Sequence, residues 1–345
     1  MSDKTPGNGE ERQIAFVFDL NKCIGCQTCS VACKVLWHQE GDGAENQWWC
    51  SVNTMPGRGT PRDWEALGGG FDGGGKPVLG ELPTPAQFGD VSNYNYQEVY
   101  SSANRQQFRP EQGKPEWAMN WDEDEGAGEF PNSYFYYMPR ICNHCSRPAC
   151  LEACPNQALY KTADFGLVLR DEAGCQASQN CARACPYKKI YFNQVEHISQ
   201  HCIGCFPRLE KGVAPVCVRQ CPGRAVFVGF RDDSDSPVHK LVDVYGVALP
   251  HHPEFGTEPN VIYVPPLAPF RIRPDGGSEE GARRIPLDHL ESQFGPRVGD
   301  AIRTLENEMA KRRRGEPSEL MDVLIGYRWS EFLGPFTRDP AEITW

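Results

Sequence analysis

The chain has 345 residues, 39% of them hydrophobic, which is enough for one large domain or two smaller ones. Its formal net charge of −11 argues against a nucleic-acid-binding protein, which needs a basic face to replace phosphate counterions. The sequence has no apolar run of about 18 residues, so it predicts no membrane-spanning helix.

The N-terminal tail, residues 1–12, contains no apolar stretch, so no secretory signal is predicted on this chain. This leaves the compartment open, because a folded protein can be exported together with a partner that carries a signal. The apolar run IAFVFDL at 14–20 comes next and predicts a β-strand.

A first cysteine motif follows this strand, within the segment 13–35. Its spacing is C-x2-C-x2-C-x3-C, and its members are Cys23, Cys26, Cys29 and Cys33. In bacterial ferredoxins this spacing places three cysteines on one iron–sulfur cluster and the fourth on its neighbour. Thiolates are soft ligands that suit such clusters, so the motif predicts a cluster-binding loop.

A long insertion at 36–139 separates the first motif from the others. It contains a glycine loop at 68–75 and many aromatic residues, among them Trp48, Trp49, Trp64, Trp117 and Trp121. Irregular segments of this length are usually functional, so we expect it to dock onto a partner subunit. The alternative is that it only caps the cluster-binding core. Its one cysteine, Cys50, is predicted to be a buried thiol and not a ligand.

Part of the glycine loop matches the start of the phosphate-binding-loop motif. Residues 70–76 match G-x4-G-K, but the next residue is Pro77, which has neither a hydroxyl for magnesium nor a backbone N–H. No strand is predicted before the loop. We therefore reject nucleotide binding.

Three further cysteine motifs lie within 140–230, and each ends in Cys-Pro. Their cysteines are Cys142, Cys145, Cys150 and Cys154 in the second motif, Cys175, Cys181 and Cys185 in the third, and Cys202, Cys205, Cys217 and Cys221 in the fourth. A zinc site would use two C-x2-C pairs separated by a spacer, commonly with histidine. Disulfides are typical of secreted chains. Iron–sulfur clusters fit the spacing better than either.

An internal repeat accompanies the motifs. A short strand-like run follows each Cys-Pro, in CPNQALY, CPYKKIYF and CPGRAVFV, and ALYKTADFGLVL predicts a hairpin with its turn at 164–166. The repeating unit is a strand, a cluster loop, a short helix and a strand. We therefore predict an α+β fold of two tandem bacterial ferredoxin-like modules with a long insertion and a C-terminal extension.

Three polar residues lie close to the ligands. His144 stands between two cysteines of the second motif, where it either donates to a cluster sulfur or is a packed structural histidine. Lys188 and Lys189 follow the third motif and either offset the charge of a cluster or form a solvated pair.

The C-terminal extension, residues 231–345, contains no cysteine. Its segment VIYVPPLAPF cannot continue as a central strand beyond the prolines. Residues 298–313 predict an amphipathic helix with Ile302, Leu305 and Met309 on one face, and we expect its basic end to be solvated. Because no separate core is predicted here, we expect the extension to wrap a partner subunit.

The cluster-binding core resembles the iron–sulfur β subunit of the dimethyl-sulfoxide-reductase family of molybdenum enzymes. The resemblance is carried by FDLNKCIGCQTCSVACK, PRICNHCSRPACLEACP, CQASQNCARACPYKKIYFN and HCIGCFPRLEKGVAPVCVRQCPG, about a third of the chain. It is strongest to the branch that contains nitrate, selenate and chlorate reductases, dimethylsulfide dehydrogenase and ethylbenzene dehydrogenase.

The resemblance implies that each cluster takes ligands from two motifs. The implied sets are Cys23, Cys26, Cys29 and Cys221 for the first cluster; Cys33, Cys202, Cys205 and Cys217 for the second; Cys142, Cys145, Cys150 and Cys185 for the third; and Cys154, Cys175 and Cys181 for the fourth. The fourth set lacks a cysteine because Ser178 stands at that position. A serine hydroxyl is a poor iron ligand, so we predict three [4Fe–4S] clusters and one [3Fe–4S] cluster. The alternative is that Ser178 binds through oxygen and preserves a [4Fe–4S] cluster.

The resemblance also implies the partners of the chain. They are a catalytic subunit that carries a molybdenum bis-molybdopterin guanine dinucleotide cofactor and a subunit that carries haem b, in a heterotrimer. We expect the complex to be exported folded to the periplasm by a twin-arginine signal on the catalytic subunit; the alternative is the cytoplasmic face of the membrane. A row of clusters conducts electrons, so no catalytic residue is predicted on this chain.

The predicted complex is an ethylbenzene-dehydrogenase-like hydroxylase, whose substrate would feed electrons into this chain. The alternative is a respiratory nitrate, selenate or chlorate reductase, in which electrons flow the other way. Two other classes compete with an electron-transfer subunit. A self-sufficient redox enzyme would need a cofactor fingerprint that the sequence lacks, and a zinc-bound structural protein would need zinc-type spacing.

Overall fold

A computed structural model describes residues 12–38, 41–44, 47–88 and 126–343. Two of the tryptophans singled out above, Trp117 and Trp121, and the tail up to residue 11 lie outside these ranges. Within the described residues helices and strands are mixed, and the predicted α+β class is confirmed. The division into two tandem modules stays a prediction.

A four-stranded sheet lies at the centre of the fold. Strand β1, Ile14–Asp19, pairs antiparallel with β8, Val226–Phe230, and parallel with β10, Val261–Val264. With β9, Leu249–Pro250, the strand order is β8-β1-β10-β9. Phe16 faces Val228 on one neighbour and Val261 on the other. All six residues of β1 are buried, because Phe16 packs into a core on one face of the sheet and Val17 into a second core on the other.

The elements around the cysteine motifs are short. They are α1 Thr28–Trp37, α3 Ala149–Glu152, β4 Leu159–Lys161, β5 Val168–Arg170, α4 Asn180–Ala184, β6 Ile190–Asn193, β7 Ile198–His201, α5 Phe206–Leu209, α6 Val216–Arg219 and β8 Val226–Phe230. A strand follows each of the three Cys-Pro pairs, as predicted. β4 and β5 form the predicted hairpin, whose turn includes Gly166 with φ of 65°. β6 and β7 form another.

The described part of the insertion packs onto the cluster-binding core. It contributes β2 Ser51–Met55, a 3-10 turn Trp64–Leu67 and α2 Pro85–Phe88, and β2 pairs antiparallel with β3, Tyr136–Arg140. The side chains of Trp49 and Trp64 are buried, whereas Trp48 is half-buried. These residues cap the core; docking of the insertion onto a partner stays a prediction.

The C-terminal extension shares its core with the central sheet. Its elements are α7 Pro237–His239, a π-helical turn Lys240–Val244, β9 Leu249–Pro250, a 3-10 turn Pro253–Phe255, β10 Val261–Val264, β11 Phe270–Ile272, β12 Ser278–Arg283, α8 Leu287–Phe294, α9 Val298–Arg313, α10 Glu319–Ile325 and 3-10 turns Trp329–Phe332 and Pro340–Glu342. Strand β10 ends directly before Pro265, as the sequence predicts. Leu305 and Leu324 pack with Val17 in the second core, so the extension covers one face of the sheet. Wrapping of a partner stays a prediction.

The amphipathic helix is confirmed with the predicted bounds. Leu305 is buried in the second core and Met309 packs against it, whereas Ile302 is partly buried against the first core. The basic end is solvated, as expected: Arg313 and Arg314 are exposed, and the half-buried Lys311 and Arg312 pair at the surface with Glu308 and Asp322. No helix in the described ranges is long and apolar enough to span a bilayer.

Candidate metal centres

Cysteines of the first and fourth motifs meet at the first cavity. Strands β1 and β8 are antiparallel neighbours, so the end of β1 lies beside the start of β8 and brings Cys23 next to Cys221. The cavity is lined by Cys23, Cys26, Cys29 and Cys221. Gly25 has φ of 68°, and a Cβ there would come within 2.6 Å of the Tyr137 ring, so this turn requires glycine.

A second cavity lies deeper in the folded protein. Its lining cysteines are Cys33, Cys202, Cys205, Cys217 and Cys50. All five are buried. The indole of Trp37 donates from Nε1 to Cys205 Sγ at 3.3 Å, and Gly204 N–H donates to Cys202 Sγ at 3.4 Å.

The third set of cysteines is recognised by its electrostatics. Burial raises the pKa of the Cys150 thiol well above its ordinary value, and the charges of Cys185, Cys142 and Cys145 raise it further. Burial and then the charge of Cys185 raise the pKa of Cys145 to about 12. Cys181 of the fourth set also acts on Cys150, so the third and fourth sets are neighbours, and the third ligand set stays a prediction.

The cavity at the fourth cysteine set, here called the fourth cavity, holds the position of the missing cysteine. Cys154, Cys175 and Cys181 line it together with Ser178, and no fourth cysteine lines it in the described ranges. The backbone on either side of Ser178 is left-handed, with φ of 57° at Ala177 and 56° at Gln179. The tight loop thus places Ser178 at the same cavity as the three thiols.

The donor sets fit iron–sulfur clusters. Burial raises the pKa of most of these thiols, so several thiolates at one buried site need a cationic partner such as iron. The metals and sulfides that would occupy the cavities are inferred from this chemistry.

An unpartnered donor at His144 supports the fit. Burial lowers the pKa of His144 to about 3, so the ring is neutral. Its Nδ1 accepts from Val168 N–H at 3.2 Å, so Nε2 carries the proton, and this buried atom has no partner among the described residues. A Cβ at Gly204, in the wall of the second cavity, would lie 3.3 Å from Nε2. A cluster sulfur at that cavity would be a suitable acceptor.

The lysines after the third motif are buried, so a solvated pair is wrong. Lys188 and Lys189 are each 1% exposed. Burial, and then the charge of neighbouring Arg140, lower the pKa of Lys189 to about 7, although the charges of cysteines in the second cavity act in the opposite direction. Arg140 was not predicted; its position two residues before Cys142 is the only signal in the sequence.

Cys50 is buried, as predicted, and lies in the wall of the second cavity. The neighbouring Cys50 thiol lowers the pKa of Cys29, a residue of the first cavity. Cys50 thus lies between two candidate centres; that it is not a ligand stays a prediction.

Comparison with known proteins extends the similarity beyond the cysteines. The family of 4Fe–4S dicluster domains matches residues 133–231. The chain is 53% identical to selenate reductase subunit beta of Thauera selenatis, over 92% of this chain and 97% of the relative. It is 51% identical to chlorate reductase subunit beta of Ideonella dechloratans, over 92% and 97%, and 50% identical to dimethylsulfide dehydrogenase subunit beta of Rhodovulum sulfidophilum, over 93% and 98%. The insertion and the C-terminal extension are therefore included in the similarity.

Proposed function

This chain belongs to the iron–sulfur β subunits of the dimethyl-sulfoxide-reductase family of molybdenum enzymes, and from that premise we propose that it relays electrons through three [4Fe–4S] clusters and one [3Fe–4S] cluster. The observation that carries this proposal is the sorting of fifteen cysteines into four sets, three of which line separate cavities. The ligands proposed for each cluster are the sets implied by the resemblance.

Helical turns link the sets in pairs. Cys29 lines the first cavity and Cys33 the second, on successive turns of one helix, a rise of about 6 Å. In the same way, Cys181 lines the fourth cavity and Cys185 belongs to the third set, four residues further on. Each pair of neighbouring centres is thus joined by a short covalent path.

The two pairs of cysteine sets are adjacent where the second set meets the third. Ile141 lines the second cavity, and the next residue, Cys142, belongs to the third set. The charge of Cys202, from the second cavity, raises the pKa of Cys142. The order first, second, third and fourth therefore follows from contacts between neighbouring sets, which supports a single row.

The chain itself supplies thiolates, burial and hydrogen bonds to sulfur. When bound, iron–sulfur clusters supply one-electron transfer, with potentials that depend on burial, charge and such hydrogen bonds. Trp37 and His144 provide donors at the second cavity, and backbone amides donate to Cys154 and Cys221 at 3.4 Å. Electron transfer of this kind needs no acid, base or nucleophile on the chain.

The partners follow from the family. The proposed complex joins this chain to a molybdopterin catalytic subunit and to a haem b subunit, and is exported folded to the periplasm by a twin-arginine signal on the catalytic subunit. The competing location is the cytoplasmic face of the membrane. Fractionation of cells, with the chain detected in the periplasmic or the membrane fraction, distinguishes the two.

The substrate is proposed from the resemblance to ethylbenzene dehydrogenase, with electrons flowing from a hydrocarbon into this chain. A second candidate is a reductase, favoured by the names of the selenate and chlorate reductase relatives. The purified complex should reduce an artificial acceptor with ethylbenzene in the first case. In the second it should oxidise a reduced dye with selenate, chlorate or nitrate.

Redox titration of the purified complex tests the electron-transfer role. The expected result is iron without zinc, a [3Fe–4S] electron paramagnetic resonance signal in the oxidised state, and [4Fe–4S] signals that appear on reduction. Zinc in place of iron, or turnover of substrate by this chain without its partners, would overturn the proposal.

A further inference from the structure

We propose that Lys189 and Arg140 form a buried pair of cations that raises the reduction potentials of the second and third clusters, at the middle of the row. The inference rests on the proposed electron-transfer function and adds the residues that set the two central potentials. It is carried by the burial of both side chains, their bonding partners and their position between two cysteine sets.

Lys189 is held against the second cavity. Its Nζ donates to Trp48 O at 2.9 Å, to Ser51 Oγ at 3.2 Å and to Tyr191 Oη at 3.0 Å. Trp48 and Ser51 flank Trp49 and Cys50, both of which line that cavity. The ammonium group therefore faces the cavity wall with neutral partners only.

Arg140 occupies the boundary between the second cavity and the third set. It directly precedes Ile141, which lines the second cavity, and Cys142, which belongs to the third set. Its Nη1 donates to Asn53 Oδ1 and Thr60 O at 3.2 Å, and its Nη2 donates to Tyr187 O at 2.7 Å. The guanidinium also lies over the Trp64 ring, 3.7 Å from its centre.

Neither cation forms an ion pair with a carboxylate of the described ranges. The carboxylate that acts electrostatically on Arg140 is that of Glu65. Its Oε1 is itself hydrogen-bonded to His252 Nε2 at 3.1 Å. Two cations of 1% and 3% exposure, close enough to repel each other, would be costly without nearby negative charge. The cysteine sets are the source of that charge once they hold clusters.

The sign of the effect follows from the charge of a reduced cluster. Reduction adds an electron to a site that is already negative, and a nearby cation stabilises the more negative state. Both cations therefore raise the potential, and removal of one should lower it. Because both are buried, salt should screen the effect little.

The test uses the purified, cluster-loaded complex and redox titration followed by electron paramagnetic resonance. Lys189→Met removes the charge at similar length, Lys189→Gln keeps a donor for Trp48 O, and Lys189→Arg keeps the charge. Lys188→Met is a matched control, because Lys188 lies beside Cys185 of the third set. Lys240→Met removes an exposed cation that pairs with Glu319.

In the two neutral variants the second cluster should become at least tenfold harder to reduce at a fixed potential, which is a decrease of about 59 mV for a one-electron couple. The decrease should persist at high salt. Lys189→Arg and Lys240→Met should keep the original value for the second cluster, and Lys188→Met should shift mainly the third.

Four clusters with an unchanged second potential in both neutral variants would overturn the inference and leave the electron-transfer function intact. Loss of the second cluster in both neutral variants, with its retention in Lys189→Arg, supports the requirement for charge. Loss in Lys189→Arg as well would show that the shape of the lysine matters, and would overturn the inference. A wild-type complex without clusters would instead refute the proposed function.

Discussion

The thiol of Cys50 lies beside the thiol of Cys29, and the two residues line different cavities. Cys50 comes from the insertion, and Cys29 comes from the first motif. The insertion therefore reaches a proposed ligand of the first cluster. A donor to a ligand sulfur stabilises the reduced cluster and raises its potential.

Replacement of Cys50 by alanine should leave the iron content unchanged and lower the potential of the first cluster, because a thiol that can donate to Cys29 is lost. Cys50→Ser keeps a donor and should lower the potential less. Iron analysis and redox titration of both variants measure the effect. Loss of a whole cluster in Cys50→Ala would show that Cys50 is itself a ligand.

The indole bond to Cys205 gives a second prediction with an internal control. Trp37→Phe should lower the potential of the second cluster, because the donor at 3.3 Å is removed while the ring stays. Trp49 lines the same cavity but donates to Gln47 Oε1 at 3.1 Å, so Trp49→Phe should change this potential less. Equal shifts in both variants would assign the effect to packing.

Ser178→Cys should restore a fourth thiolate to the fourth cavity. The expected result is the loss of the oxidised [3Fe–4S] signal and the gain of one iron per chain, because the added thiolate completes a [4Fe–4S] site. Ser178→Ala should leave the signal unchanged. A native protein without this signal, in which Ser178→Ala produces one, would instead assign Ser178 as an oxygen ligand.

Truncation of the second core should destabilise the chain without changing its ligands. Leu305 is 1% exposed, so Leu305→Ala should reduce the free energy of unfolding by about 2–5 kcal/mol. The neighbouring extension residue Ile325 is 47% exposed, and Ile325→Ala should cost about 0.5 kcal/mol or less. Denaturant unfolding of the iron-loaded protein compares the two. Equal losses would mean that the extension is not anchored by this core.

Local sequence patterns were enough to predict the cluster-binding motifs, the strands after each Cys-Pro, the hairpin around Gly166 and the helix Val298–Arg313. These features depend on residues a few positions apart, where bond geometry and side-chain periodicity leave few choices. The end of β10 before Pro265 is of the same kind, since proline lacks the N–H that a central strand needs.

The tertiary structure alone decided what lies between the cavities. Lys189 looks like a surface residue in the sequence, and it is buried because segments distant in sequence, around Trp48 and Arg140, close over it. Cys50 reaches Cys29 only because the insertion folds back onto the first motif. The extension covers the central sheet through β10, which pairs with β1 across the length of the chain. Contacts of this range depend on how whole elements pack, and no short pattern encodes them.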